Sequence, residues 1–244
     1  MKRIKLVVAY DGTAYHGWQL QPGALTIEGE LNKALSRLLG EQIKVIGASR
    51  TDSGVHALGN VAVFDTESRI PAEKLSYALN QKLPEDIRIQ SSCEVEPDFH
   101  PRHCGSRKTY EYRILCREFP QPVKRLYSYF TYHKLDVKRM QEAAAYLVGE
   151  HDFKSFCSVN TVVESTVRRL DSVAVEEQGE EIVIRVRGNG FLYNMVRIMV
   201  GTLLFINDGK MELHAIPGII SALDRTAAGK TVPPNGLYLN KVFY

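Results

Sequence analysis

Cysteine, long apolar runs and net charge are all scarce in this chain of 244 residues. Its four cysteines form no C-x-x-C pair and no closely spaced framework, which argues against a disulfide scaffold and indicates reduced thiols in a cytosolic protein. The nearest approach to a membrane span, 191–206, is too short and is interrupted by Asn194 and Arg197. The N-terminal apolar residues alternate and soon meet Asp11, which predicts a first strand and not a signal peptide. We therefore expect a cytoplasmic protein without a membrane anchor.

The small net charge of +3 is unevenly distributed along the chain. Between Pro101 and Met140 there are ten lysines and arginines against three acids, which gives this segment +7 and leaves −4 for the remainder. Seven aromatic residues are interleaved with these charges: Tyr110, Tyr112, Phe119, Tyr127, Tyr129, Phe130 and Tyr132. Basic groups neutralise phosphates and exposed rings stack on bases, so the segment predicts a nucleic-acid partner. The alternative is a solvated strand face with half of its rings in the core.

The periodicity of apolar residues predicts strands that are clustered in sequence, with few helices between them. Ile4, Leu6, Val8 and Tyr10 alternate with other residues as in a strand, and a helix is predicted from Thr26 to a stop at Gly40. Further strands are expected at 43–48, 55–64, 87–95, 107–117, 126–133, 167–176, 181–187 and at the C-terminus, and helices at 71–82, 136–148, from 191, and at 214–223. This pattern predicts an α+β fold with a largely antiparallel sheet. The Pro-, His- and Gly-rich stretch near 96–106 predicts a boundary between halves 1–105 and 106–244.

The segment ASRTDSGVHALG is the first candidate for a site. It places Arg50, Thr51, Asp52 and His56 in a turn between two apolar strands, which can aim an acid with little conformational freedom. Gly54 permits backbone angles that other residues resist. The alternative is a simple β-turn in which Asp52 bonds its own backbone.

Two further segments carry candidate residues. In RKTYEYRIL, alternation predicts that Tyr110 and Tyr112 share one strand face, where they either meet a base or fill the core. In NGFLYNMVRIMVGTLL, Arg197 is the one charge in a long apolar helix, and a buried guanidinium needs a partner. If that partner is Asp52, the pair keeps the carboxylate ionised; the alternative is that Arg197 reaches the surface at the edge of the helix.

A metal site is not expected. Asp98, His100, His103 and Cys104 have the spacing of metal ligands, but no second cluster completes a ligand set.

Taken together, six segments in the same order resemble the TruA family of tRNA pseudouridine synthases. They are YDGTAYHGWQLQP, ASRTDSGVHALGNVA, RKTYEYRIL, HDFKSFC, GNGFLYNMVRIMVGTLL and AGKTVPPNGLYLNKVFY, which together span nearly the whole chain. Small departures occur at Ser49, Ser53 and Val232, and none of them removes a reactive group.

The resemblance implies the pseudouridine synthase fold: two α/β halves that share a long, mostly antiparallel sheet, with helices on one side and a basic cleft between them. It implies a homodimeric isomerase that converts uridine to pseudouridine at positions 38, 39 and 40 of the tRNA anticodon stem-loop after base flipping. By the same resemblance Asp52 is the catalytic aspartate, Tyr110 stacks on the target base, Arg197 is the partner of the aspartate and Arg50 positions the nucleotide.

Because the isomerisation transfers no electron and no external group, no cofactor is expected. Two other functions stay open on the residues alone. One is a non-catalytic RNA-binding or chaperone protein that uses the same basic aromatic cleft, for which position 52 is unimportant. The other is a hydrolase that uses Asp52 against the glycosidic bond and releases free uracil.

Overall fold

A computed structural model describes residues 1–159 and 163–244 of the chain. The residues fall into two compact units: Met1–Ser106 together with Tyr238–Tyr244, and Arg107–Leu237. The sequence places the boundary at 105–106 and assigns everything beyond it to the second half. In the structure the last strand instead belongs to the first unit, because it pairs there with a strand far from it in sequence. Such a long-range pairing leaves no local signal.

The first unit is a sheet with two helices. Its strands follow the order β4-β1-β3-β10, and short β2 also pairs with β3; all of these pairings are antiparallel except β10 with β3. The elements are β1 (Lys2–Tyr10), α1 (Ile27–Leu39), β2 (Ile46–Gly47), β3 (His56–Thr66), α2 (Leu75–Asn80), β4 (Ile87–Val95) and β10 (Leu237–Phe243).

The predicted local patterns of this unit are confirmed at β1 and α1. Alternate residues of β1 from Ile4 to Tyr10 are buried, as the period of two requires. Helix α1 begins after Thr26, whose side chain accepts from the Gly29 amide, and ends at Gly40 with φ 69°.

Strand β2 is much shorter than the predicted 43–48. The amides just before it bond to side chains of α1 instead of a neighbouring strand: Ile43 N donates to Ser36 Oγ at 3.0 Å and Val45 N to Asn32 Oδ1 at 2.8 Å. The connection from β2 to β3, residues 48–55, carries Asp52.

The second unit is also a sheet with helices. Its strands follow the order β5-β9-β8-β7 with antiparallel pairing, and β6 pairs parallel with β5. The elements are β5 (Arg107–Cys116), β6 (Tyr129–Thr131), α3 (Val137–Ala145), β7 (Gly149–Asp152), β8 (Val167–Gln178), β9 (Glu181–Gly188), α4 (Met195–Asn207) and α5 (Ile216–Ala222). Strands and helices in both units confirm the predicted α+β class.

Several predicted boundaries in the second unit are wrong. The helix expected from Phe191 begins only at Met195, because Asn194 has the left-handed backbone angles φ 61° and ψ 7°. The strand expected over 126–133 is reduced to β6, and β7 was not predicted. In contrast, the hairpin of β8 and β9 turns at Gln178 and Gly179 as predicted, with Gly179 at φ 62°.

The helices of the described residues are short. None within residues 1–159 and 163–244 combines the length and apolarity needed to cross a bilayer.

Candidate active site

The turn that carries Asp52 is held by the chain segment between Tyr10 and Trp18, which we call the bracing segment. Trp18 N donates to Thr51 O at 3.0 Å, and Gly54 N donates to Tyr15 O at 3.2 Å. The turn closes on itself where Val55 N donates to Asp52 O at 3.1 Å. Backbone bonds on both sides of Asp52 therefore fix the path of the turn.

Two glycines of the bracing segment allow the turn to approach closely. A Cβ on Gly12 would lie 2.0 Å from Val55 O, and a Cβ on Gly17 would lie 2.5 Å from Thr51 O. Gly17 also has φ 84°, a conformation that side chains oppose. The motif YDGTAYHGW thus has a structural role, because it packs against the candidate catalytic turn and fixes its position.

A buried polar cluster supports the same turn from inside the unit. Tyr10 Oη lies 2.8 Å from Thr51 Oγ1, and Asn60 Nδ2 donates to Tyr10 Oη at 3.3 Å and to Ser49 O at 3.1 Å. Burial raises the pKa of Tyr10 well above its ordinary value, against the opposing effect of its hydrogen bonds to Thr51 and Asn60. The hydroxyl therefore stays protonated and can serve as a fixed donor next to the turn.

His56 fixes the end of the turn, where β3 begins. Its ring is 2% exposed, its Nδ1 accepts from Gly12 N at 3.1 Å and also lies 3.1 Å from Asp11 Oδ1. The imidazole stacks on Tyr238 with ring centroids 4.8 Å apart. Thr51 and His56 are thus buried on either side of the turn, while Asp52 itself is half-buried and Ser53 is exposed.

Arg50 is exposed on the same turn, and the structure adds a second arginine beside it. Arg102 Nε donates to Gly47 O at 2.7 Å, in the strand that leads into the turn. Partial burial, followed by the positive charge of Arg50, lowers the pKa of Arg102, while Glu28 opposes that shift. Sequence reasoning counted Arg102 among the basic residues but did not connect it with Arg50.

Arg197 lies in the second unit, in the first turn of α4, and is half-buried. Its Nε donates to Val232 O at 2.8 Å and its Nη1 donates to Asn194 Oδ1 at 2.6 Å. The neighbouring Tyr112 is buried and donates to Pro233 O at 2.8 Å. Burial raises the pKa of Tyr112 and the positive charge of Arg197 partly offsets that shift, which indicates that the two side chains are close.

Tyr110 is also in the second unit, on β5, with 7% of its surface exposed. Its ring meets the ring of Phe191 edge to face at 4.9 Å between centroids. Phe191 belongs to the loop that leads into α4, so this contact ties the tyrosine strand to the segment that carries Arg197. Sequence reasoning did not identify Phe191 as a neighbour of Tyr110, since nothing in its spacing distinguishes it from core filler.

The aromatic residues of the basic segment divide between surface and interior. Tyr110 and Tyr112 are buried, Tyr129 and Phe130 are half-buried, and three rings are exposed: Phe119 at 65%, Tyr127 at 41% and Tyr132 at 70%. The segment therefore supplies core residues as well as exposed rings, and its contact with nucleic acid stays a prediction.

The histidine-rich stretch at the predicted boundary forms contacts of its own. The rings of His100 and His103 lie 4.2 Å apart, and Cys104 Sγ donates to His100 O at 3.0 Å. Within the part of the chain that the structure describes, no group of three or more histidine, cysteine or acidic side chains could hold a metal ion.

Comparison with known proteins gives one consistent result. A family model described as tRNA pseudouridine synthase matches residues 6–103 and 143–244. Proteins named tRNA pseudouridine synthase A are 47% identical over 244 residues in Thermoanaerobacter sp. (strain X514), 49% over 245 residues in Ruminiclostridium cellulolyticum and 47% over 244 residues in Brevibacillus brevis. In each case the alignment covers 100% of both chains. A solved structure described as a Cbf5-Nop10-Gar1 complex aligns at a TM-score of 0.31 and 14% identity, covering 96% of this chain and 56% of that one, which is too weak to bear on function.

The α+β fold and the family match define the class first: the chain is a pseudouridine synthase, and such enzymes are isomerases. More narrowly, it belongs to the TruA family, that of tRNA pseudouridine synthase A. The resemblance drawn from six motifs is thereby confirmed. Tyr110 lies in the interval 104–142 that the family model does not match, although the full-length relatives align across it.

Proposed function

We propose that this chain isomerises uridines 38, 39 and 40 of the tRNA anticodon stem-loop, with Asp52 as the nucleophile. The observation that carries the proposal is the bracing of the Asp52 turn by Gly12, Gly17 and the backbone bonds of Tyr15 and Trp18. A carboxylate on so restrained a turn is aimed with little conformational freedom, as covalent catalysis requires.

The reaction needs only groups that the chain supplies. The bond from ribose C1′ to uracil N1 breaks, the base turns, and a new bond joins C1′ to C5. The C5 proton is lost and N1 gains one, so the product has the same atoms and the same oxidation level as the substrate. Asp52 can act by attack on C1′ or by addition to C6 of the base, and both routes use the same carboxylate.

Arg197 and Tyr110 complete the proposal. A guanidinium beside a carboxylate favours its ionised form and so keeps it nucleophilic. Two fixed hydrogen bonds, to Val232 O and Asn194 Oδ1, support such a role for Arg197 because they restrict a flexible side chain. Stacking by Tyr110 requires one face of its ring to become accessible, since the ring is only 7% exposed. Stacking of this kind offsets the few kcal/mol, in order of magnitude, that flipping a base costs.

The substrate contacts proposed for the first unit are electrostatic. Arg50 is exposed next to Asp52, and Arg102 lies near Arg50. The two positive charges repel each other, and a bound anion reduces that repulsion. We infer that this anion is a phosphate that flanks the target nucleotide. A homodimer is part of the proposal by resemblance to the family. A cytoplasmic location is also proposed, and it is supported by the four cysteines, which form no disulfide within the described residues.

The test is Asp52→Asn, which keeps the size of the side chain and removes its charge. We expect no detectable tritium release from an anticodon stem-loop labelled at uridine C5, with the Kd for the same RNA within about twofold of wild type because phosphate contacts dominate RNA affinity. Asp65→Asn is the matched control: it removes a carboxylate from the same unit, at a position paired with Arg3 on β1, and should release tritium at the wild-type rate.

Each alternative gives a distinct result in that assay. Tritium release by Asp52→Asn at the wild-type rate would overturn the assignment of the nucleophile. Free uracil among the products of the wild-type protein would identify a hydrolase. Tight RNA binding without any release by the wild-type protein would identify a binding protein.

A further inference from the structure

Asn194 has an unusual backbone for its position. It stands immediately before α4 with φ 61° and ψ 7°, and among the described residues only Leu223 shares positive φ without being glycine. Left-handed angles are unfavourable for most residues with a Cβ, and asparagine and aspartate adopt them more readily than the others. An asparagine at this place commonly caps the helix by accepting from its free amides, yet the side chain of Asn194 makes no such bond.

The side chain of Asn194 instead bridges two other groups. Its Oδ1 accepts from Arg197 Nη1 at 2.6 Å, and its Nδ2 donates to Ser158 Oγ at 2.8 Å. The loop that carries Ser158 is itself held where Ser158 N donates to Tyr193 O at 3.2 Å. The left-handed backbone angles of Asn194 and the absence of a cap bond from its side chain therefore have one explanation: the side-chain amide faces the guanidinium of Arg197.

Two of the bonds made by the guanidinium of Arg197 differ in kind. Nε donates to a main-chain carbonyl, that of Val232, at 2.8 Å. Nη1 donates to the side-chain oxygen of Asn194 at 2.6 Å, so this bond depends on the residue at position 194. Bonds on two different nitrogens orient the plane of a guanidinium, and loss of the Nη1 bond therefore loosens that orientation.

We propose that Asn194 is a positioning residue for the reaction: it fixes the plane of the Arg197 guanidinium, and Ser158 fixes Asn194 in turn. This inference rests on the proposed function, in which Arg197 acts on the catalytic carboxylate. Asn194 does not itself contact the reacting atoms.

Asn194→Gly separates this role from a purely structural one. Glycine adopts the left-handed conformation without penalty, and no helix cap is lost because the side chain provides none. A purely structural role, in which the amide only ties Ser158 to Arg197, predicts a lower Tm and an unchanged rate for the folded protein. The positioning role predicts a kcat lower by on the order of 10-fold to 100-fold at a temperature where the variant is fully folded, as for a misoriented catalytic group, and a KM within about twofold.

Leu223→Gly is the matched control, since it relieves the same backbone conformation at the end of α5. It should leave kcat and KM unchanged. Asn194→Asp keeps an acceptor toward Arg197 and also tolerates left-handed angles, so it should retain more of the rate than Asn194→Gly. Equal loss in the two variants would contradict the proposal, because the acceptor would then be irrelevant.

The Arg197→Lys background distinguishes failure of this inference from failure of the proposed function. If Arg197→Lys turns over at the wild-type rate, the proposed role of Arg197 fails. If Arg197→Lys is impaired while Asn194→Gly is fully active, only the present inference fails. The expected result is that Asn194→Gly lowers kcat in the wild-type background and has a clearly smaller effect when combined with Arg197→Lys, whereas a general effect on folding would act equally in both.

Discussion

Replacing Gly17 by alanine tests whether the bracing segment sets the position of Asp52. Gly17 has φ 84°, so alanine there loses about 1–2 kcal/mol of stability from the left-handed backbone alone. Its Cβ would also lie 2.5 Å from Thr51 O and 3.1 Å from the carbonyl carbon of Asp52. The first distance is roughly an ångström short of an ordinary contact, and both partners are main-chain atoms that cannot rotate away, so the turn has to move by about that amount.

The consequence for catalysis follows from that displacement. A shift of about 1 Å in a reacting group can lower the rate on the order of 100-fold, so we expect kcat for tritium release to fall by that factor. Gly23→Ala is the control, because Gly23 has φ 73° and a Cβ there would meet nothing within 4 Å. Both variants share the left-handed penalty, so Gly23→Ala measures its effect alone in urea unfolding, and Gly17→Ala should lose more stability because of the clash. Only Gly17→Ala should lose turnover. If the two variants have the same kcat, the bracing segment does not position Asp52 and the reasoning is refuted.

Two predictions concern stability. Ser49 is buried and its Oγ has no hydrogen-bond partner within the described part of the chain. Ser49→Ala should therefore leave the free energy of unfolding unchanged or raise it by about 1 kcal/mol. Thr51→Val removes the hydroxyl bonded to Tyr10 and should lower the free energy of unfolding. Hydrogen bonds from Arg3 are the main cause that lowers the pKa of Asp65, so the pair stabilises the fold above the ordinary pKa of the carboxyl, and that contribution is lost as the pH falls through the lowered value. In urea unfolding, the stability difference between wild type and Asp65→Asn should therefore be largest near pH 7 and shrink as the pH falls below the ordinary pKa of an aspartate, about 4. A difference that does not shrink below that pH would contradict the assignment.

Much of the fold could be predicted because its signals are local. The alternation of β1, the capped helix α1 and the hairpin at Gln178 and Gly179 each depend on residues within one short segment. The residue types within each segment predict the element, because burial repeats with the period of a strand or a helix and capping residues mark its ends. Element ends that depend on distant partners were predicted poorly, as at β2, whose neighbouring amides bond to side chains of α1 instead.

The candidate site divides in the same way. Asp52 stood out as a candidate in the sequence because reactive and turn-forming residues are adjacent there, and Arg197 did so because a single charge stands in an apolar helix; their catalytic roles stay predictions. Arg102 and Asn194 were not recognisable, since the first meets Gly47 across 55 residues and the second is ordinary in type but unusual in its backbone angles.

Composition, periodicity and the order of motifs are readable in the sequence, and they were enough to predict the α+β class, the family and the chemical type of the candidate residues. Three relations became visible only in the folded chain: the last strand joins the first unit beside β3, Gly12 and Gly17 brace the Asp52 turn, and Asn194 faces Arg197. Such relations depend on distances between groups far apart in the chain or on single backbone torsions, and one sequence carries no periodic signal for either.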